Sequence, residues 1–435
     1  MMKLRVPGVH ATRMAAGGVA LAALLLTGGC LAAPGHGPRG QGPRGGGPGG
    51  PGNEVMDMSR TLSERGQLHT LAFSGFAFLT GNLGADSFFP PGKVADWWGF
   101  QYLRDNDPSR LGHNTDFLTK AAYNMLYVLN DQQRAQLVAL AQQQVQPINE
   151  YALKRFPLMQ AFRRQLTGDT PAGAQGLDRE AVLAYSAELY KLDGEMSLQR
   201  AAVMGGILHD LNAQQRAYLD KLKGTGMATW PTLAEPIDRR SLPHDVHVAV
   251  MTYAGDMFSW YVGSAEADVY FCPERQGTYF GGFYLKDAPA MGSPNYTISN
   301  TLTGDVGANM LTKLTPAQAQ AITSLPPAQT PLLQEIVNVR RAIATALRRC
   351  IAGETPDQAQ VLALAEKYGR LDGEIVYGDA MAFAQVGRSL SAQQRADLVA
   401  MRQQIGVGVP QGAFIYSTPV QMPSIPSTDF LFGVK

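Results

Sequence analysis

Apolar residues recur at helical spacing along two long stretches of the chain. Within Asp178–Leu211 the apolar positions follow the three-to-four-residue period of an amphipathic helix, and Asn130–Gln144 has the same period. Gly168 and Gly353 stand where a helix cap is expected, because glycine readily adopts the left-handed conformation that ends a helix. The pattern predicts a fold that is all-α or nearly so.

Two aromatic-rich segments, residues 66–112 and 248–294, interrupt this pattern, and we call them the leaders. Their frequent Gly and Pro predict short helices, turns and irregular packing rather than a long helix. Their aromatic side chains either line a partner-binding surface or form the core of each unit. We favour the core because large aromatics dominate burial. The candidates for a binding surface are Trp97, Trp98, Tyr102, Tyr279, Phe280 and Tyr284.

The body of the chain is a tandem duplication. Phe76–Asp105 aligns without gaps with Phe258–Asp287, and ten of the 30 positions are identical. Further along, Ala213–Ala217 recurs unchanged at Ala392–Ala396. The shared order of these matches predicts two helical-hairpin units in one chain. The predicted boundaries are 54–223 for unit 1, 224–243 for a linker and 244–405 for unit 2.

The string Leu-Asp-Gly-Glu occurs at Leu192–Glu195 and again at Leu371–Glu374. Glycine inside a helix costs ~1 kcal/mol relative to alanine. Its presence in both units predicts that Gly194 and Gly373 lie at a close crossing of two helices. The two acidic residues of each string are two positions apart and do not face each other on a helix, which argues against a catalytic pair of carboxylates.

The first 53 residues predict export followed by a flexible tether. Residues 1–29 combine a basic start with a short apolar stretch, as in a secretory signal peptide. The small residues before Cys30 resemble a bacterial lipobox, so we expect cleavage there and lipidation of Cys30. Ordinary secretion and an uncleaved anchor are the alternatives. Residues 30–53 then form a disordered tether, because Gly and Pro make up most of the segment Pro34–Gly52.

Bulk charge and motif content exclude several classes of function. The 37 Lys and Arg residues nearly balance the 36 Asp and Glu residues, for a net charge of +1, which argues against a strongly basic nucleic-acid-binding protein. Three cysteines do not make a disulfide framework. The Walker A, GxSxG and HExxH strings do not occur, and GxGxxG occurs only within the Gly/Pro-rich segment Pro34–Gly52. We therefore expect no nucleic-acid partner and no enzyme activity.

Four short strings share a pattern of Leu, then Asn, Thr or Ser, then Gln three positions later. The side-chain oxygen in the second position accepts a backbone N–H at the start of a helix. The leucine before it acts as a hydrophobic staple, and the glutamine bonds back to the cap as in a capping box. The simplest interpretation is that these residues start helices and touch no ligand. They are Leu129, Asn130 and Gln133; Leu211, Asn212 and Gln215; Leu314, Thr315 and Gln318; and Leu390, Ser391 and Gln394.

These strings resemble the LTXXQ motif of the Spy/CpxP family of bacterial envelope proteins. Members of that family are all-helical and carry two motifs separated by a long helical hairpin. Here the motifs form two pairs, Leu129 with Leu211 and Leu314 with Leu390, each with helical sequence between its members. The resemblance covers the helical halves of the units and implies an ATP-independent periplasmic chaperone or a metal-responsive envelope regulator. Because chaperones of the family dimerise into a curved cradle, it also implies an intramolecular pseudo-dimer of the two units.

Metal binding is a second possible function. His244 and His247 have the spacing of one helical face and can bind Zn or Cu if Cys272 joins them through the fold. Otherwise they are partly exposed histidines near the linker, and no cofactor is certain. Cys272 can instead pair with Cys350 in an oxidising compartment. Inert burial and a reactive thiol are the other interpretations of these cysteines.

The final segment, residues 406–435, is a Pro-bearing apolar tail that we expect to lie against the body or a partner. Taken together, the features predict a lipid-anchored protein of the bacterial cell envelope, on the periplasmic side of the outer membrane or at the cell surface. Its expected role is to bind unfolded or partner proteins without a nucleotide. The alternatives are a metal-binding or metal-responsive envelope protein and a structural cell-surface assembly protein.

Overall fold

The computed structural model describes residues 64–81, 104–105, 116–223, 225, 229–265, 306–404, 413–415, 418–419 and 424–434, all within the compact unit Gly49–Lys435. Several predicted features lie outside these ranges. They are segments 1–29 and 30–53 with Cys30, the surface candidates Trp97, Trp98, Tyr102, Tyr279, Phe280 and Tyr284, and the metal candidate Cys272. None of the described helices is long and apolar enough to cross a membrane.

The described part of the chain is mostly helical, which confirms the predicted all-α class. The first leader begins with α1 (Glu64–Thr80) and the second with α7 (His244–Val262). Unit 1 contains α2 (Asp116–Val128), α3 (Asp131–Lys154), α4 (Phe156–Thr167), α5 (Arg179–His209) and α6 (Ala213–Leu222). Unit 2 contains α8 (Val306–Thr312), α9 (Pro316–Thr323), α10 (Pro326–Arg348), α11 (Gln358–Ser389) and α12 (Ala392–Gln404). Short 3₁₀ turns lie at Arg349–Ala352 and Asp429–Phe432.

Three very short strands form a small antiparallel sheet beside the helices. They are β1 (Arg104–Asp105), β2 (Ala413–Ile415) and β3 (Thr418–Pro419), and β2 lies between the other two. Phe414 is opposite Arg104 on one side and Pro419 on the other. The sheet therefore joins the tail to the first leader.

The two units contain the same helical segments in the same order. Leu129–Gly168 corresponds to Leu314–Gly353, and Asp178–Leu211 corresponds to Asp357–Leu390. The first arm of the hairpin breaks at different places: unit 1 breaks between α3 and α4, and unit 2 breaks just before Pro326, between α9 and α10. Proline suits the first position of α10 because a backbone N–H at that position would have no partner within the helix.

The ends of the helices follow the capping residues that the sequence supplies. Gly168 and Gly353 have φ of 78° and 80°, so both adopt the left-handed conformation, which confirms the predicted C-caps. Asp178 accepts the backbone N–H of the third residue of α5, and its counterpart Asp357 does the same for α11. Equivalent caps therefore bound the same turn in both units.

The long helices α5 and α11 pack against each other in an antiparallel direction. A Cβ added to Gly194 would lie 2.8 Å from the Cβ of Ala365, and one added to Gly373 would lie 3.0 Å from the Cα of Leu183. Gly373 also faces Ser186, which is the counterpart of Ala365. The two contacts are thus related by a pseudo-twofold axis, and the predicted close crossing is confirmed.

The start of each leader is a regular helix, so the expectation of irregular packing was wrong for these residues. The helices α1 and α7 contain 17 and 19 residues. Gly75 lies inside α1, where a Cβ would come within 2.8 Å of the ring of Phe383. The glycine there allows a close approach between helices and does not break the helix.

Each leader helix packs on the hairpin of the other repeat. Helix α1 contacts α8 and α11 of unit 2, whereas α7 contacts α2 and α3 of unit 1. The ring centres of Phe78 in α1 and Phe383 in α11 are 6.3 Å apart. The hydroxyl of Tyr253 in α7 donates to Oε1 of Gln144 in α3 at 2.7 Å. The exchanged leader helices therefore connect the two units in addition to the α5–α11 contact.

The described end of the tail lies against unit 1, which is the first of the two predicted positions. Its 3₁₀ turn buries Leu431 and Phe432. The Leu431 carbonyl accepts the backbone N–H of Asp178 at 2.8 Å. The guanidinium carbon of Arg164 lies 4.9 Å from the centre of the Phe432 ring. Residues 424–434 are therefore part of the folded body.

Candidate functional site

All four motifs form capping boxes at the start of a helix, the arrangement that their spacing predicts. Asn130 accepts the backbone N–H of Gln133 at 2.9 Å, and the side chain of Gln133 accepts the backbone N–H of Asn130 at 3.0 Å. The same reciprocal pair occurs at the other three motifs. The motif residues are thereby fixed at the first turns of α3, α6, α9 and α12.

The glutamines of paired motifs bond to each other, and we call each pair a glutamine clasp. In unit 1, Gln215 donates to Gln133 at 2.7 Å, and in unit 2, Gln394 donates to Gln318 at 2.8 Å. Each donor also bonds at 2.9 Å to the backbone carbonyl just before the first motif, at Val128 or at Lys313. Each clasp joins the two ends of one hairpin. The pairing of the motifs along the chain was the sequence signal for this contact, but the bond itself was not anticipated.

An arginine that follows three of the motifs caps the preceding helix. Arg134 donates to the Leu126 carbonyl at 2.9 Å, and Arg216 donates to the Leu208 carbonyl at 2.9 Å. Arg395 makes the same type of bond to the Gly387 carbonyl. Basic side chains suit this position because the last carbonyls of a helix lack partners. This role was not predicted from the sequence, although the arginine is part of the recurring Ala-Gln-Gln-Arg-Ala string.

A buried polar cluster lies between α3, α5 and α7 in unit 1. The fully buried Arg200 donates from Nε to Oε1 of Gln144 at 3.1 Å, and its guanidinium carbon lies 4.9 Å from the centre of the Tyr253 ring. Nε2 of Gln144 donates to the Met196 carbonyl at 2.9 Å. Burial raises the pKa of Tyr253 to about 12. Its phenol therefore stays protonated and acts as a donor at neutral pH.

The matching cluster in unit 2 contains a buried acid. Nε2 of Gln329 donates to Oδ1 of Asp379 at 2.6 Å. The pKa of Asp379 is raised to about 8, mainly by burial and to a smaller extent by the charge of Asp372, although the bond from Gln329 opposes the shift. Asp379 is consequently protonated in most molecules at neutral pH. A protonated carboxyl donates as well as accepts, which suits a site closed to water.

The crossing of α5 and α11 contains a third buried polar group. The hydroxyl of Tyr190 donates to Oδ2 of Asp372, and Arg340 donates to the hydroxyl of Tyr368 at 3.0 Å. The two tyrosine rings lie 4.5 Å apart, centre to centre. Glu374, two positions after Asp372, bonds instead to an arginine at the surface. These contacts hold the helices together, and in unit 2 Asp372 and Glu374 bond to different partners instead of to each other.

The two histidines proposed for a metal lie at the start of α7. Nε2 of His247 is 3.0 Å from Oε1 of Glu235 in the linker, and His244 is the first residue of the helix. Cys272 lies outside the described ranges. Within those ranges, no group of three or more His, Cys, Asp or Glu side chains is arranged to hold a metal ion. The contact between His247 and Glu235 joins the linker to α7.

Cys350 lies in the contact between the two units. A Cβ added to Gly205 of α5 would lie only 2.4 Å from the Cβ of Cys350, so the glycine makes room for the cysteine. Burial raises the pKa of the Cys350 thiol. A raised pKa keeps the thiol protonated and reduces its nucleophilicity.

The largest difference between the motif ends of the units is at the surface. In unit 1 the rings of Tyr127 and Tyr218 pack 5.4 Å apart, between α2 and α6. In unit 2 their counterparts are Thr312 and Asp397, and an open groove of about 370 Å³ lies between α8 and α12. The large apolar side chains most exposed in the described ranges are Tyr127 at 57%, Val399 at 47% and Phe430 at 44%.

Comparison of the chain with protein-family models, with curated proteins and with solved structures gives no match.

Proposed function

We propose that the chain is a lipid-anchored protein of the bacterial envelope that binds unfolded or partner proteins without a nucleotide. The observation that carries the proposal is the pairing of the four motifs into two glutamine clasps, one at the end of each hairpin. This pairing supports the resemblance to the Spy/CpxP family, whose members have two motifs and one hairpin per chain. Two complete hairpins in one chain would provide the two halves of a chaperone-like dimer.

Exposed apolar side chains beside the clasps support a binding role for these ends. Tyr127 lies two residues before Leu129, which begins the first motif, and Val399 lies on α12, which begins at the fourth motif. Covering apolar surface contributes roughly 25 cal/mol per Å². An unfolded client exposes apolar segments that can cover these side chains, and no nucleotide is needed for such an exchange.

Light scattering of an aggregating model protein tests the proposal. The full-length chain is added without metal or nucleotide and is expected to suppress scattering near an equimolar ratio. Substituting Tyr127→Ser together with Val399→Ser should weaken suppression. Phe430→Ser is the matched control because Phe430 has similar exposure but lies on the tail turn, and it should leave suppression unchanged.

The same assay separates the metal-binding alternative. Suppression that appears only after Zn²⁺ or Cu²⁺ is added, and that disappears in His244→Ala/His247→Ala, would favour a metal-responsive protein. Failure to suppress aggregation under every condition would contradict the chaperone-like role.

A further inference from the structure

The motif end of unit 2 has an open groove between α8 and α12, with a volume of about 370 Å³. This volume is near the lower end of the ~300–1,000 Å³ typical of small-ligand sites. The groove can therefore accept one side chain, but not a folded domain. Its lining includes Asn309 and Thr312 from α8, Lys313 directly after that helix, and Asp397, Met401 and Gln404 from α12.

The counterpart of this groove in unit 1 is filled by two tyrosines of the chain itself. The rings of Tyr127 and Tyr218 pack together, and the hydroxyl of Tyr218 donates to Oδ1 of Asn124 at 2.6 Å. Asn124 is the counterpart of Asn309, so the acceptor is present in both units. In unit 2 threonine and aspartate replace the tyrosines, and Asn309 is exposed at the groove whereas Asn124 is buried.

We propose that the groove of unit 2 binds the tyrosine side chain of an extended polypeptide. The phenol would donate to Asn309 as Tyr218 does to Asn124, and the ring would lie beside Met401, since thioethers contact aromatic rings favourably. The inference deepens the proposed function and depends on it, because it names the side chain that the binding end of unit 2 selects.

The charges around the groove fit a polypeptide. Lys313 lies on the α8 side and Asp397 on the α12 side, where Oδ1 of Asp397 accepts a bond from Gln393 at 2.8 Å. One positive and one negative group match the mixed charges of an unfolded chain. A uniformly anionic nucleic acid would meet the carboxylate of Asp397 and be repelled.

Binding of short peptides to the full-length chain tests the inference. The probe is a soluble pentapeptide with one central tyrosine, and the same peptide with phenylalanine or serine at that position is compared by calorimetry or ligand-observed NMR. We expect one site per chain. Phenylalanine should bind roughly threefold to tenfold more weakly, since it lacks the one hydrogen bond, and the serine peptide should not bind measurably.

A variant with the two tyrosines of unit 1 at the matching positions of unit 2 tests whether the peptide binds in the groove. Thr312→Tyr with Asp397→Tyr fills the groove with the pair that unit 1 already accommodates, so folding should be preserved and peptide affinity should fall at least tenfold. The matched control is Gln403→Tyr, which adds a tyrosine at an exposed position on the same helix outside the groove lining and should leave affinity unchanged.

The reverse exchange in unit 1 gives an independent readout. Tyr127→Thr with Tyr218→Asp should open a second groove and raise the stoichiometry from one peptide to two. Absence of peptide binding to the unmodified chain, or equal binding to the filled variant, would overturn the inference. Loss of aggregation suppression while the tyrosine peptide still binds would instead contradict the proposed function alone.

Discussion

The two units place a basic and an acidic residue at the same point of their cores. Arg200 in α5 and Asp379 in α11 are counterparts, and so are the glutamines that contact them, Gln144 and Gln329. Gln144 accepts from Arg200 at 3.1 Å through its amide oxygen, whereas Gln329 donates to Asp379 at 2.6 Å through its amide nitrogen. Because a glutamine has both a donor and an acceptor, reversing its amide suits either partner.

The units differ in how they stabilise the buried group. In unit 1, Tyr253 from the exchanged leader helix lies over the guanidinium of Arg200 and bonds to the same glutamine. The counterpart of Tyr253 in α1 is Leu71, which is buried and apolar. Unit 2 lacks that aromatic partner and holds Asp379 in its neutral form instead. Unit 1 therefore stabilises its buried arginine by contacts between the repeats, whereas unit 2 stabilises its buried aspartate by protonation.

The largest expected effect is the loss of the arginine cluster. Arg200→Ala should lower the free energy of unfolding by about 3–5 kcal/mol, since it leaves a cavity and removes the partner of two buried side chains. Urea denaturation measures this. Arg370→Ala is the control, because that exposed arginine pairs with Glu180 at the surface and should contribute about 1 kcal/mol or less. Equal losses in the two variants would contradict the comparison.

The proton on Asp379 predicts the next effect, which is a dependence of stability on pH. The pKa of Asp379 is about 8 in the folded chain, against 3.8 for an ordinary aspartate. The folded state therefore binds the proton more tightly. The contribution of the protonated Asp379 to the free energy of unfolding is fully present below about pH 4. It is lost as the pH rises towards 8, by at most about 1.4 kcal/mol per pH unit.

Asp379→Asn keeps an acceptor for Gln329 and removes the titration. Relative to the original chain, the variant should gain stability steadily between pH 4 and pH 8, as followed by urea denaturation at several pH values. The difference between the two chains cancels the other titrating groups. Parallel stability curves would show that Asp379 is not protonated in the folded state.

The contact of α5 with α11 predicts a smaller steric effect. A Cβ added to Gly369 would lie 2.6 Å from the Ser186 carbonyl oxygen and 2.8 Å from the Cβ of Tyr190, which is the counterpart of Gly369 itself. Gly369→Ala should cost about 1–3 kcal/mol by overpacking. Gly378→Ala on the same helix meets no atom within 4 Å and should stabilise by up to ~1 kcal/mol. Thermal unfolding that shows the same sign for both would exclude this account of the crossing.

The parts of the fold that follow from short-range patterns were predictable. Helical period, the caps at Gly168 and Gly353 and the crossing at Gly194 and Gly373 each depend on residues close in the chain or repeated in both units. The leader helices were not, because the neighbour that makes Gly75 acceptable in α1 is Phe383, which is far away along the chain. Rules that consider only neighbouring residues in the sequence predict a helix break at such a glycine.

The same division applies to the candidate site. The capping boxes involve residues three positions apart, so the spacing of the motifs was sufficient to expect them. The bond between Gln133 and Gln215 joins opposite ends of a hairpin, and no local rule indicates which polar groups meet after folding. The groove of unit 2 was not predicted for a related reason. The replacement of Tyr218 by Asp397 indicates a groove only when the helices that pack beside these two positions are known.

The smallest expected effect compares the two glutamine clasps. In a double-mutant cycle, Gln133→Ala and Gln215→Ala should show a coupling energy of about 0.5–1.5 kcal/mol, because each single change removes one capping box but both remove the same bond between motifs. The cycle on Gln318 and Gln394 should give a smaller value, since Gln394 is only partly buried whereas both clasp residues of unit 1 are buried.

Gln214→Ala is the control for the clasps, because this exposed glutamine is adjacent to Gln215 and takes no part in the bond. It should change the free energy of unfolding by less than about 0.5 kcal/mol. Zero coupling in both cycles would mean that each motif only starts its own helix and does not stabilise the paired motif. Stronger coupling in unit 2 would mean that burial does not set the strength of the clasp, and the difference between the units would then need another cause.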